Sequence, residues 1–450
     1  MDDTSTSGRA EAQPIRLKRT LGLTSLLLFG LSYMGPIVVY PTYGVLATVS
    51  QDTIALSYLI ALGAICFTAL SYGYFAKRLP VAGSAYTYTR RSFGSYAGFM
   101  VGWALLLDYF FLPMVIALTG TVTLGAVFPD VPSWVWVVGF VALITALNIL
   151  GIEMANRLNI ILMVAQLAIG GLFILLCCHY VIGASGPAGL LSVEPFFKSG
   201  VPLSATMAGA AIAAYSFLGF DAVATLTEET IDPTRNVPRA ILLTALIGGS
   251  IFVVSAYATQ LAHPGLLFDQ PESAAFEIAK KIGGDVFVGI FLTGLVISQT
   301  ASGIAAQASV ARLMYAMGRD GVLPTKVFSY LHPKFKTPTI NVLISGAVSL
   351  LAVKLDIATS TSFINFGAFL AFTAVNLSVI RQFQLSGDKT TIGPIRGVLL
   401  PLLGAITMVW LLASLDKTAV AMGAAWFVLG LFYLTWLTDG FRRVPPEVTL

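Results

Sequence analysis

The chain has 450 residues, of which 56% are hydrophobic and only 11% are charged, with a net charge of +4. Soluble domains carry charge on about 25% of their residues, so this chain cannot give several soluble domains a polar surface. The apolar residues lie in runs of about 20, the length of a helix that crosses a bilayer. The composition predicts a polytopic membrane protein and excludes secreted, nucleic-acid-binding and soluble enzymatic classes.

Hydropathy predicts twelve membrane spans. In chain order they cover approximately residues 22–48, 54–76, 96–126, 133–152, 157–183, 203–227, 239–262, 285–312, 338–354, 358–382, 395–414 and 418–438. An even number of spans places both termini on the same side. The two terminal segments and the even-numbered connections hold 21 of the 26 Lys and Arg residues. By the positive-inside rule, we expect both termini in the cytoplasm.

Spans 1 and 6 contain helix breakers in a shared pattern. Span 1 reads Ser32-Tyr-Met-Gly35 and continues with Pro36, and span 6 reads Ser216-Phe-Leu-Gly219. Interrupted helices at corresponding places in two halves of a chain indicate the site of an inverted-repeat transporter. The alternative is that these glycines only mark close packing between helices.

Two carboxylates lie inside spans. Asp108 is about 18 Å from the start of span 3 at the helical rise of 1.5 Å per residue, and Asp221 follows the breaker of span 6. A charge at this depth costs about 3 kcal/mol or more, so it normally faces a cavity or a partner. The spans hold no Lys or Arg at mid-depth. Each aspartate is therefore either a protonated structural residue bonded to backbone carbonyls, or a site for a cationic substrate or a coupling proton.

Three tyrosines stand beside these features: Tyr33 in span 1, Tyr109 in span 3 and Tyr215 in span 6. Aromatic faces attract ammonium groups, so these rings are candidate substrate contacts. Cysteine and histidine are scarce, with three of each in the chain; the cysteines lie in apolar stretches as packing residues, and the histidines form no cluster. With no nucleophile–base pair or phosphate loop either, the sequence predicts neither an enzyme nor a metal or other cofactor.

Three blocks resemble the amino acid–polyamine–organocation (APC) permeases. They are YGYFAKRLPVAGSAYTY at 72–88, FLGFD with EETIDPTRNVPR at 217–239, and RLMYAMGRDGVLP at 312–324. The resemblance implies the LeuT-type fold of twelve transmembrane helices, with spans 1–5 and 6–10 as inverted repeats. The repeats would cover about 21–184 and 201–383 of a single permease domain at 21–450. Residues 1–20 would form a cytoplasmic tail, and two appended helices would lie at about 395–438.

Within that superfamily the chain resembles bacterial putrescine importers. The supporting stretches are GFMVGWALLLDYFFLPM at 98–114, SFLGFDAV at 216–223 and INFGAF at 364–369. The resemblance implies proton-coupled uptake of a small amine by alternating access across the bacterial cytoplasmic membrane. It also implies that Tyr215 is an aromatic gate, that Asp221 is an acidic residue tied to pH sensing, and that Asp108 with Tyr109 faces the distal end of the substrate.

The resulting hypothesis assigns three groups of residues. The substrate-binding group is Ser32, Tyr33, Gly35, Asp108, Tyr109, Tyr215, Ser216, Gly219, Phe220 and Asp221. Asp108 and Asp221 are also the candidate proton-coupling groups. A cytoplasmic gate is predicted where Glu228 and Glu229 pair with Arg78 or Arg319. The expected partners are a small amine, a proton and the lipid bilayer, without nucleic acid.

One departure from the family pattern bears on the substrate. Amino-acid permeases resembling this chain have a glycine-rich break in span 1 that binds the substrate carboxylate, whereas this chain reads GPIVVY at 35–40. Proline has no N–H group and β-branched residues crowd the backbone, which favours a substrate without a carboxylate. The alternatives are a cationic or neutral amino-acid transporter, an amino acid/amine antiporter, and a non-transporting amine sensor of the same fold.

Overall fold

The computed structural model describes residues 19–81, 83–128, 130–150, 152–266, 268, 271, 274–354, 357–385 and 393–446. Most of the predicted N-terminal tail therefore lies outside the described residues. Within the described ranges the regular structure is helical, apart from one isolated parallel bridge between Leu21 and Thr230. Ten of these helical segments are long and apolar enough to cross a membrane. The protein is a polytopic helical membrane protein, as the composition predicts.

Among the described residues, seven α-helices precede residue 186. They are α1 Leu23–Met34, α2 Tyr43–Val49, α3 Ile54–Arg78, α4 Ser84–Phe93, α5 Ser95–Val127, α6 Ser133–Leu150 and α7 Ile152–Ser185. The predicted span 1 thus consists of two short helices, α1 and α2, with turns between them. The helix α4 lies in the connection after predicted span 2, where hydropathy shows no apolar run.

Eight α-helices follow in the described part of the chain. They are α8 Leu203–Ala213, α9 Pro233–Ala262, α10 Ala274–Arg319, α11 Thr325–Phe328, α12 Thr339–Ser349, α13 Ile357–Leu385, α14 Leu400–Ala413 and α15 Lys417–Leu437. Short 3₁₀ helices occupy Pro187–Leu191, Ala214–Phe217, Ala222–Glu229 and Leu350–Lys354, and a π-helical turn occupies Ile395–Leu399. The long helix α10 bends at Gly284, where φ is 68°.

The first interruption follows α1. Gly35 has φ of 63°, a left-handed conformation that ends the helix, and turns continue to Thr42. An interrupted helix leaves carbonyl groups without partners, and in a membrane each needs one. The hydroxyl of Ser302 on α10 donates to the carbonyl oxygen of Tyr33 at 2.5 Å. The side chain from α10 thus satisfies part of the broken end of α1.

The second interruption separates the 3₁₀ helices Ala214–Phe217 and Ala222–Glu229. Between them Gly219 has φ of 112°, a region that side chains of L-residues rarely adopt. A Cβ atom at this position would overlap the ring of Tyr33. The two interrupted segments therefore meet each other, with the Tyr33 ring packed on the backbone of Gly219.

Burial separates central from peripheral segments. The helix α5 and the segment Leu203–Glu229 have 78% and 83% of their apolar windows buried, against 17% for α15. The peripheral α15 is attached to α5 by two tryptophans that exchange hydrogen bonds. Trp103 Nε1 donates to the Trp426 carbonyl at 2.9 Å, and Trp426 Nε1 donates to the Trp103 carbonyl at 2.8 Å. The interrupted segments thus lie at the centre of the bundle, beside α5.

Candidate functional site

Asp108 on α5 and Asp221, beside the second interruption, form a buried acidic pair. Both side chains are completely buried, and Asp221 is linked to α5 through Tyr109, the residue that follows Asp108. Asp221 Oδ2 accepts hydrogen bonds from the hydroxyls of Tyr109 at 2.6 Å and Tyr72 at 3.5 Å. Both oxygens of Asp108 and Oδ1 of Asp221 have no hydrogen-bond partner among the described residues. Three of four carboxyl oxygens are therefore unsatisfied by this part of the protein.

Basic side chains do not neutralise this pair within the described ranges. The buried arginines there are Arg90 and Arg312. Arg90 pairs with Asp320 at 2.9 Å, and Arg312 pairs with Glu229 at 2.5 Å. Burying an unpaired carboxylate is costly, so the acidic pair requires either protons or a cationic ligand.

Tyr33 connects the acidic pair to a neighbouring pocket. Its ring centroid lies 6.3 Å from that of Tyr109, and it interacts electrostatically with Asp108 and Asp221. Its hydroxyl is buried without a hydrogen-bond partner in the described structure. Tyr33 also forms part of the pocket wall. Tyr33 therefore lies between the acidic pair and the pocket, with a hydroxyl that makes no hydrogen bond in the described structure.

The pocket lies between the two interrupted segments and the helices α5 and α10. Its lining residues are Tyr33, Met34, Gly35, Val38, Leu112, Ile116, Tyr215, Leu218, Ser298, Gln299 and Ser302. On α5, Asp108, Leu112 and Ile116 follow at intervals of four residues and share one face of the helix. Asp108 therefore lies one turn beyond the pocket rather than in its wall, which gives the pocket an acidic end.

The structure distributes the predicted binding residues over three surroundings. Tyr33, Gly35 and Tyr215 line the pocket, and Asp108, Tyr109 and Asp221 form the acidic region. The remaining four lie elsewhere. The Ser216 hydroxyl is 3.1 Å from that of Tyr58, Ser32 is buried on α1, Gly219 packs on Tyr33, and the Phe220 ring packs against those of Tyr72 and Phe372.

Several side chains at the site are absent from the sequence-based prediction. Tyr72, which donates to Asp221, lies in the first family block, where it carries no feature that marks a buried contact. The polar part of the pocket wall comes from three residues of α10, which are Ser298, Gln299 and Ser302. Their span contains no charged residue near these positions. The feature that could have indicated them is the helical spacing of polar residues within an apolar run.

The predicted gate residues form ion pairs at the ends of the interrupted segment and α10. Glu228 pairs with Arg319 at 2.8 Å, one of the two pairings expected for this carboxylate. Glu229 pairs with Arg312, which the sequence-based prediction omitted. Arg78 instead lies over the ring of Tyr74 at 4.0 Å and joins neither carboxylate.

The segment that precedes α1 also binds this region. The backbone N–H groups of Thr20 and Leu21 donate to the Glu229 carbonyl at 2.9 Å and 3.0 Å, and the N–H of Ile231 donates to the Leu21 carbonyl at 2.9 Å. Backbone hydrogen bonds therefore connect the residues just before α1 with the end of the second interrupted segment.

A helical membrane bundle with interrupted helices around a buried polar pocket has the features of secondary transporters. The family model described as "Amino acid permease" matches residues 25–430. The chain therefore belongs to the amino acid permease family, within the APC superfamily that its sequence blocks resemble.

Curated relatives span nearly the whole chain. The low-affinity putrescine importer PlaP of Escherichia coli is 40% identical over 96% of both chains. The branched-chain amino acid permease BcaP of Bacillus subtilis is 28% identical over 92% of both. The methylthioribose transporter of the same species is 28% identical over 94% of both. All three are named as importers, permeases or transporters, in agreement with the prediction that the chain is not an enzyme.

Proposed function

We propose that the protein is a secondary active transporter that imports a small organic amine, most specifically putrescine, by proton-coupled alternating access. The observation that carries the proposal is the acidic pair, Asp108 and Asp221, which has no basic partner among the described residues. An ammonium group of an amine such as putrescine supplies positive charge at this pair. The 40% identity to a putrescine importer supports the same substrate.

The pocket suits the rest of a diamine. Met34, Val38, Leu112, Ile116 and Leu218 form an apolar wall that accommodates methylene groups. The rings of Tyr33 and Tyr215 add faces that attract ammonium groups. One ammonium group would lie at the acidic end, near Tyr33, and the chain would extend along the apolar wall.

The first interruption offers few backbone donors to a carboxylate. The N–H of Gly35 donates to Leu31, that of Val38 to Gly35 and that of Tyr40 to Ile37, each through the carbonyl oxygen. Pro36 has no N–H group. An α-amino acid would need free donors for its carboxylate, so this backbone favours an amine over an amino acid.

The same carboxyl groups suit proton coupling. One ammonium group at the acidic pair neutralises one carboxylate, and the second buried carboxyl group is much less costly when it is neutral. One aspartate of the pair would therefore carry a proton while the other binds the ammonium group, so that the proton and the amine enter together. The Glu228–Arg319 and Glu229–Arg312 pairs would close the cytoplasmic side while the substrate is bound.

We extend the proposal to the architecture. The ten long segments, together with the shorter apolar helices Leu23–Met34 and Thr339–Lys354, would make twelve crossings in one permease domain at 21–450. Glycines with positive φ at corresponding places in the first and sixth segments support a LeuT-type inverted repeat. The excess of Lys and Arg in the terminal segments and even-numbered connections supports cytoplasmic termini in the bacterial inner membrane.

A second candidate is amino-acid transport or amino acid/amine exchange, since one relative is named a branched-chain amino acid permease. Uptake of labelled putrescine into proteoliposomes, with and without an inward proton gradient, tests the main proposal. We expect uptake that the gradient accelerates and that ornithine, arginine and glutamate inhibit weakly. Stronger inhibition by an amino acid than by unlabelled putrescine would favour the second candidate, and no gradient effect would contradict proton coupling.

A further inference from the structure

One side-chain amide that lines the pocket has no hydrogen-bond partner among the described residues. Gln299 on α10 is 6% exposed and lines the pocket. Hydrogen bonds from described residues do not reach its side-chain amide. Gln307, two turns further along α10, shows the usual behaviour of a buried glutamine. Its amide accepts from Asn148 at 3.1 Å and donates to Thr145 at 2.9 Å.

Buried side-chain amides are nearly always paired, so an unpaired amide that faces a cavity indicates a ligand or a bound water. The neighbouring hydroxyls of Ser298 and Ser302 do not form a hydrogen bond with this amide in the described structure. Ser302 donates to the Tyr33 carbonyl, and Ser298 packs beside the backbone of Gly35. Gln299 is therefore the amide on the α10 wall whose hydrogen-bonding groups are available to the pocket.

Gln299 also lies away from the acidic end. Ser302 contacts the backbone of Tyr33, the residue that reaches the acidic pair. Gln299 is three residues earlier on α10, a displacement of about 4.5 Å along the helix axis. The apolar side chains Leu112 and Ile116 of α5 lie on the same pocket. The pocket thus has an acidic end, an apolar wall and a neutral polar side chain.

We infer that Gln299 is a specificity-determining residue that accepts a hydrogen bond from the end of the substrate remote from the acidic pair. The inference rests on the proposed function and defines its substrate class. The substrate carries an ammonium group at one end and a hydrogen-bond donor at the other, joined by a short apolar chain. An amide oxygen accepts from an ammonium group as well as from a hydroxyl, so the distal group need not be charged.

The test compares three compounds of equal length that differ only at the distal end: putrescine, 4-amino-1-butanol and 1-aminopentane. Each competes with labelled putrescine for uptake into proteoliposomes, and each is added to purified protein in a thermal-shift titration. For the native protein we expect 1-aminopentane to bind about tenfold more weakly than the other two, because its methyl end leaves the amide unpaired.

Gln299→Met and Gln299→Leu remove the acceptor at similar volume. We expect putrescine and 4-amino-1-butanol to lose about tenfold in affinity while 1-aminopentane keeps or improves its affinity, so that the native preference against 1-aminopentane disappears or reverses. Gln299→Glu adds a charge, and we expect it to favour putrescine over 4-amino-1-butanol. Thr293→Val on the exposed side of α10 is the matched control and should leave all ratios unchanged.

The outcomes separate this inference from the proposed function. If the native protein transports putrescine but the ratios are the same in the Gln299 variants, the specificity role is wrong and the proposed function stands. If none of the three amines binds to or is transported by the native protein, both are wrong. A Gln299 variant that fails to fold gives no thermal transition. The affinity ratios of the other two Gln299 variants then test the specificity role.

Discussion

Asp108 is completely buried, and neither of its carboxyl oxygens accepts a hydrogen bond from a described residue. In a purely structural role its hydroxyl would be bonded to a carbonyl group, which the described structure does not provide. Asp108→Asn keeps the shape and removes the charge, so we expect putrescine uptake to fall by at least about tenfold in kcat/KM, with little change in thermal stability. Asp130→Asn, at an exposed carboxylate, is the matched control and should transport normally.

Tyr109 and Tyr72 both donate to Asp221, at 2.6 Å and 3.5 Å. A hydrogen bond to a charged group contributes about 1.5–3 kcal/mol, and only the shorter of these has favourable geometry. Tyr109→Phe should therefore impair uptake about tenfold, and Tyr72→Phe should have a clearly smaller effect. Initial rates over a range of putrescine concentrations measure both. Equal losses in the two variants would contradict the prediction that the shorter hydrogen bond to Asp221 is the more important one.

Among individual residues, depth in the membrane was the informative signal. Asp108 and Asp221 were predictable because a carboxylate far inside an apolar run is expensive and rarely incidental. Gln299 and Ser302 were not, because uncharged polar residues cost little in a helix and occur at many positions that only pack. Phe220 was included for its proximity in sequence to Asp221, but its ring turns towards Phe372.

At the scale of elements, the interrupted segments are held by contacts between them as well as by their own breakers. Gly219 has φ of 112°, and its missing side chain leaves space for the ring of Tyr33. Glycine and proline made both interruptions predictable, because few other residues adopt these conformations. Hydropathy did not predict α4, Ser84–Phe93, since this helix is polar and lies in a connection.

Gly219→Ala should disable transport. The added methyl group must displace the Tyr33 ring, and the positive φ costs about 1–3 kcal/mol for a residue other than glycine. We expect a lower melting temperature in detergent and loss of putrescine uptake. Gly63→Ala on α3 adds the same methyl group where no atom lies within 4 Å, so it should retain both properties. A normal uptake rate in Gly219→Ala would contradict the need for this close approach.

For the whole molecule, the two ion pairs next to the interrupted segment differ in their surroundings. The side chains of Arg312 and Glu229 are 7% and 3% exposed, whereas those of Arg319 and Glu228 are each 25% exposed. Removal of one partner from a buried pair costs about 3–5 kcal/mol, because the other charge stays buried without compensation. The half-buried Arg319–Glu228 pair is better solvated, so removal of one partner costs less, with about 0–1 kcal/mol as the value for a fully exposed pair. Substitutions in the two pairs should therefore differ in their cost to stability, with the larger cost at the Glu229–Arg312 pair.

Glu229→Gln should lower the melting temperature strongly and abolish uptake, while Glu228→Gln should lower the melting temperature only slightly. The double substitution Glu229→Gln with Arg312→Met removes both charges, and it should recover most of the stability because no uncompensated charge remains. If the pair closes the cytoplasmic side of the transporter, the double variant still lacks that closure, and its uptake stays low although it folds. Melting curves in detergent and proteoliposome uptake of the three variants measure these outcomes, and full recovery of uptake in the double variant would assign the pair a structural role alone.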